Sequence, residues 1–195
     1  MVLPLIGLLQ RAPWSSLVSD LRAHEALAAL RLSLETSLGA LGLSVLCGVP
    51  LAWILARRRF PGRSLVRAVV TLPMVLPPVV GGIALLYAFG KRGMAGRILY
   101  DVTGWRLVFN TSGAIIAEAF VSMPFLIVTA EAAFRSMDRR AEEAAATLGA
   151  SPGYRFRRVT LPAVAPALAA GAALTWARAL GEFGATITFA GNFPG

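Results

Sequence analysis

The sequence predicts an all-α integral membrane protein, a bundle of about four transmembrane helices with a polar loop of short helices on one face. Three observations predict it. Charge is sparse: 15% of the 195 residues are Asp, Glu, Lys or Arg and 56% are apolar, whereas a soluble domain is nearer a quarter charged. The charges also leave long gaps: between Arg31 and Arg57 only Glu35 is charged, and nothing is charged between Arg67 and Lys91 or between Arg158 and Arg178. Each gap holds about 19 to 23 uncharged residues, enough for a helix rising about 1.5 Å per residue to cross a hydrocarbon core about 30 Å thick. Finally, the gaps are continuously apolar rather than alternating, which excludes the strands of a membrane barrel.

The elements follow in order. Residues 1–31 mix Arg11, Asp20, Arg22, Glu25 and Arg31 with leucines and read as an N-terminal interfacial segment. Met1–Leu9 is apolar, but it lacks a preceding basic region and is too short to span, so it does not read as a convincing signal peptide. The transmembrane domain then covers residues 32–195. Its first span is expected over about 34–56, where Gly39, Gly42 and Gly48 are suited to close helix packing. A second span, about 65–89, carries Pro73, Pro77 and Pro78, then Gly81 and Gly82. Each proline lacks an N–H and clashes with the preceding turn, so this helix must bend. Because broken backbone at membrane depth survives only inside protein or along a watery cavity, these five residues are candidates for a pathway helix. Residues 90–111 read as a polar loop. A third span, about 112–134, includes Glu118 and Glu131, both close enough to its ends to be solvated. The fourth, about 161–189, contains Arg178 and Glu182.

The net charge of +9 invites a nucleic-acid reading, but the arginines sit in loops between apolar stretches, where they act as topology signals. Residues 57–67 and 135–158 hold five and six arginines, against three and four Lys or Arg in 1–31 and 90–111. The positive-inside rule therefore places 57–67 and 135–158 in the cytoplasm. One histidine, His24, and one cysteine, Cys47, argue against a structural zinc site. No phosphate-binding Gly-x-x-x-x-Gly-Lys loop is present, so ATP and its magnesium, if used, belong to a partner. No Ser-His-Asp set supports an enzyme.

The long hydrophilic stretch is the most informative. Met137–Leu148 is rich in Ala, Glu and Arg and should be helical. Gly149 is placed to end that helix in a left-handed conformation. Ser151 and Pro152 suit the cap and first turn of a second short helix. Glu143-Ala144-Ala145, then Gly149, then Val159-x-Leu161-Pro162 resembles the cytoplasmic Glu-Ala-Ala loop of ABC importer permeases. In that family the loop docks on the ATP-hydrolysing subunit, so the resemblance implies coupling roles for Glu143, Ala144, Ala145, Gly149, Leu161 and Pro162.

Three further stretches resemble molybdate permeases within that family: Leu72–Gly82, Gly90–Gly96, and Arg178-Ala-Leu-Gly-Glu-Phe-Gly-Ala-Thr186. The related sulfate permeases share a Gly-Glu-aromatic-Gly motif in the last of these. The resemblance implies a permease for molybdate or tungstate in a bacterial inner membrane. It would work as a homodimer with two ATPase subunits and an external binding protein, and its transmembrane domain would be truncated before a last helix near Asn192–Gly195. A sulfate or thiosulfate permease is the near alternative, and an ion-coupled secondary transporter using Glu118 or Glu182 the distant one. Arg178 and Glu182, four residues apart, can form a pair; that pair would line the pathway or be structural.

Overall fold

The computed structural model describes residues 6–7, 10, 24–91, 93–104 and 107–191. Of the predicted interfacial segment 1–31, residues 24–31 instead begin the first long helix, and the rest lies almost entirely outside the described residues, as do Arg92, Arg106 and Asn192–Gly195. The described chain forms α1 (His24–Arg57), α2 (Arg63–Val75), α3 (Pro78–Phe89), α4 (Met94–Thr103), α5 (Thr111–Ser136), α6 (Arg140–Thr147), α7 (Pro152–Arg155), a π-helical turn (Phe156–Thr160), α8 (Leu161–Leu180) and α9 (Gly184–Ala190). The chain divides into two compact units, Met1–Glu35 and Thr36–Gly195. In the first, Arg31 Nε lies 2.6 Å from Glu35 Oε1 along α1.

The second unit is built around α5. Gly39 of α1 lies against Ile115, and Gly48 against Met123 and Ile127. Rising numbers therefore face rising numbers, and α1 runs parallel to α5. Helix α8 runs the other way: Gly171 faces Leu126 and Thr129, while Ala179 shares a cluster with Ala119 and Ala40. At one end, Ala52, Leu55, Ile127, Ala130, Phe134 and Val164 form a buried core. At the other, Leu85, Ala117, Val121, Ala185 and Phe189 form a second. Alanine and glycine dominate the helix contacts because, where lipid is as apolar as leucine, association relies on close backbone approach. Gly42, by contrast, meets nothing.

Among the described residues, three stretches are long and apolar enough to cross a membrane: Ala26–Arg57, Thr111–Ser136 and Pro152–Leu180. The expected second span is instead two helices of 13 and 12 residues. Leu76 and Pro77 are extended, with ψ 136° each, so the chain leaves the helix there and restarts with Pro78 in the first turn. The expected fourth span is likewise interrupted: α8 stops at Leu180, and α9 begins after Gly181–Phe183. The stretch expected to be a polar loop over 90–111 holds the ten-residue helix α4, on which Arg97 Nε and Asp101 Oδ2 lie 3.8 Å apart. The expected helix over Met137–Leu148 is shorter: Met137 is extended, and Asp138 Oδ1 accepts the Arg140 N–H at 3.0 Å, which starts α6.

Candidate functional site: an exposed elbow and two helix breaks

The elbow between α5 and α8 is built by local chemistry. Gly149 has φ +81°. Its N–H donates to Ala146 O at 3.0 Å, and the Ala150 N–H donates to Ala145 O at 3.0 Å. This is a Schellman closure, and it needs the left-handed residue that glycine supplies without strain. Ser151 Oγ then accepts the Tyr154 N–H at 3.4 Å, with Pro152 in the first turn of α7. The π-helical turn follows, its extra residue shown by Leu161 N–H reaching back to Phe156 O. Phe156 anchors the elbow to the bundle, with its ring centroid 5.9 Å from Trp53 edge-to-face and 6.4 Å from Phe134.

The two faces of α6 differ. Glu143, Ala144, Ala146 and Thr147 are exposed, as are Leu148 at 87% and Tyr154 at 58%. Glu142 and Ala145 turn inward and are half-buried. Glu142 Oε1 sits 3.0 Å from Arg57 Nη2 at the end of α1 and accepts the Thr160 hydroxyl proton. Of the coupling residues that the sequence suggested, Leu161 is half-buried and Pro162 exposed in the first turn of α8.

The same end of the bundle carries a charge cluster that sequence reasoning missed. Glu131, read as able to reach the interface, is buried on α5 and engaged by Arg63, Arg67 and Arg135. The Arg57–Glu142 and Arg67–Glu131 contacts hold residues 57–67 and 135–160 at one end of the molecule. Glu118, expected to be solvated, is also buried, at 5% exposure. It takes a hydrogen bond from Thr36, while its Oε2, Ser122 Oγ and Thr175 Oγ1 have no partner among the described residues.

The helix breaks of the expected second and fourth spans meet each other. A Cβ placed on Gly184 would lie 2.9 Å from Pro78 Cβ and 3.6 Å from Val79 N; one on Gly82 would lie 2.7 Å from Thr188 Cβ and 3.0 Å from Ala185 O. Gly82 is therefore a point of closest approach between α3 and α9. Gly81 and Pro73 are buried, whereas Pro77 and Pro78 are exposed. Glu182, buried at 7% exposure, accepts the Ala185 N–H on Oε1 at 2.8 Å and so caps α9. Its Oε2 lies 2.5 Å from Arg178 Nη2. The carboxylate thus neutralises the arginine and satisfies an orphan N–H at the α8–α9 break.

Comparison with known proteins agrees with this architecture. Residues 48–195 match the family described as "Binding-protein-dependent transport system inner membrane component". The chain is 45% identical, over 99% of its length and 73% of the relative's, to the molybdenum transport system permease protein ModB of Mycobacterium tuberculosis. It is 44% identical to the Escherichia coli protein of that name, over 86% of this chain and 73% of the relative. A probable sulfate transport system permease protein, cysT of Nephroselmis olivacea, is 38% identical, over 100% of this chain and 69% of the relative. A bacterial ABC transporter involved in the import of the acidic polysaccharide alginate shares the fold with a TM-score of 0.66 at 22% identity; the match covers 91% of this chain and 66% of that one. The chain therefore belongs to the family of inner membrane components of binding-protein-dependent transport systems.

Proposed function

We propose that this chain is the permease subunit of an ATP-driven importer that carries molybdate or tungstate across a bacterial inner membrane. The observation that supports this most is the 41–45% identity to molybdenum permeases, against 34–38% to sulfate permeases. Two copies of the chain would line the path, and an external binding protein would deliver the oxyanion. ATP and magnesium would be held by two partner ATPase subunits docked on the elbow.

The elbow's outward face suits that docking. Ala144 and Ala146 present little side chain, so a partner can approach the helix backbone closely. Glu143 and Leu148 give it one charged and one apolar contact, while Gly149, Leu161 and Pro162 fix the angle at which the face is offered. The path itself would run along the broken helices, where Pro77, Pro78 and the residues between α8 and α9 put irregular backbone at membrane depth. Pro73, Gly81 and Gly82 seat that broken helix against its neighbours. Since Arg178 is already neutralised by Glu182, this pair shapes the path's wall rather than anchoring the anion.

The test is ATP-dependent uptake of labelled molybdate into vesicles holding the complete complex, with unlabelled tungstate, sulfate or phosphate as competitor. Competition by tungstate and not by tenfold excess sulfate is expected. Uptake of sulfate in preference to molybdate would replace this reading with the sulfate one.

A further inference from the structure

We infer that Glu142, rather than its neighbour Glu143, is the positioning residue that passes movement of the elbow into the membrane-spanning helices. The inference rests on the reading of the elbow as the ATPase docking element. Motion imposed on α6 must reach the bundle through something stiffer than a chain connection, and Glu142 is placed to supply it. Its Oε1 lies 3.0 Å from Arg57 Nη2, the last residue of α1, and the same oxygen accepts the hydroxyl of Thr160, the last residue before α8. One carboxylate oxygen thus ties three elements together, two of them long enough to cross a membrane. The junction is sheltered: the side chain of Arg57 is 10% exposed, that of Glu142 21%, and Thr160 is 2% exposed. Arg57 Nη2 also lies 4.0 Å from Met137 Sδ, where α5 ends.

Shelter matters because an ion pair out of water is held in one geometry and is costly to break from one side. Glu143 offers nothing comparable: it is exposed and has no ion pair among the described residues. The π-helical turn adds a second reason. Thr160, which bonds to Glu142, is the last residue of that turn. Such turns are local distortions commonly retained at working sites.

The test uses the complete complex reconstituted in proteoliposomes, with three measurements: ATPase copurification, ATP hydrolysis, and labelled molybdate carried per ATP hydrolysed. Glu142→Gln keeps the shape and removes the charge. It should leave copurification and hydrolysis near wild type while anion carried per ATP falls about tenfold, as expected when a coupling contact is lost. Arg57→Gln should do the same, and the double variant should be no worse than either single one, because the two residues act as a unit.

Wild-type stoichiometry in Glu142→Gln would overturn the inference. So would multiplied losses in the double variant, or loss of ATPase copurification, which would make Glu142 a docking residue. Should Glu142→Gln fail to insert, Thr160→Val, which removes only the hydroxyl, decides by the same criterion with a smaller drop. Failure of the docking reading itself looks different: Ala144→Trp would then leave copurification and uptake at wild-type levels.

Discussion

Arg67 of α2 grips Glu131 of α5 with two prongs: Nε donates to Oε2 at 3.2 Å and Nη2 donates to Oε1. Arg63 and Arg135 stand on the same carboxylate, whose side chain is 7% exposed. Removing the acid leaves three arginines facing one another at a sheltered site. Glu131→Gln should therefore destabilise the protein by about 2–3 kcal/mol, somewhat below the cost of breaking a fully buried pair because the arginines keep some water. Thermal unfolding in detergent would read this as a clear drop in midpoint. Glu35→Gln, which removes an exposed pair with Arg31, should leave the midpoint unchanged. Equal midpoints for Glu131→Gln and wild type would contradict the assignment.

Gly149 should tolerate asparagine and reject valine. Nothing lies within 4 Å of a Cβ placed there, yet φ is +81°, so the constraint is conformational and not steric. Asparagine visits the left-handed region far more readily than a β-branched residue does. Gly149→Asn should keep uptake within about twofold, whereas Gly149→Val should lose about 1–2 kcal/mol at the elbow and most of the uptake. Similar behaviour of the two variants would show that the turn does not set the elbow's angle.

The glycines of the spans should separate cleanly. Gly82→Ala forces α3 away from Thr188 and Ala185 and should cost about 1–3 kcal/mol, the usual penalty of overpacking. Gly42→Ala fills open space on an exposed helix face and should stabilise the helix by up to about 1 kcal/mol. Melting midpoints of the two variants moving in the same direction would contradict the packing described.

What was legible in the sequence was mostly local. The closure at Gly149 and the restart at Ser151-Pro152 are written in adjacent residues, and the structure places them where the sequence puts them. The proline break followed from the missing N–H of Pro77 and Pro78, although the sequence suggested a bend and the chain makes a full interruption. What was not legible depends on distance along the chain. Glu131 finds Arg67 sixty-four positions away and Glu142 finds Arg57 eighty-five away, and no periodicity announces such partners. The interruption at Gly181–Phe183 carries no proline; its signal is Glu182 three residues ahead of Ala185, the spacing at which a side chain caps a helix. Helix α4 was hidden by its charges, although the four-residue spacing of Arg97 and Asp101 was a usable sign.

The orientation can be tested with single cysteines at positions 60, 98 and 150 in a chain whose Cys47 has been replaced. Phe60 and Ala150 lie at the arginine-rich end, and Ile98 lies on α4. An impermeant thiol reagent added to intact cells should label position 98 alone, with 60 and 150 labelled only after the membrane is opened. Labelling of 150 from outside would invert the topology and remove the elbow from reach of any cytoplasmic ATPase.

In the function proposed here, α6 and α7 are where an ATPase subunit would drive this permease. Ala144 is exposed on the outward face of α6, and exposed substitutions usually change stability by less than about half a kcal/mol. Ala144→Trp should therefore insert and fold normally while its bulk holds a docked partner away from the helix. The measurement is molybdate uptake together with ATPase copurification for this variant in the complete complex. Normal membrane insertion is expected, with uptake abolished and the ATPase lost or hydrolysing ATP without transport. Wild-type uptake with normal copurification would contradict it.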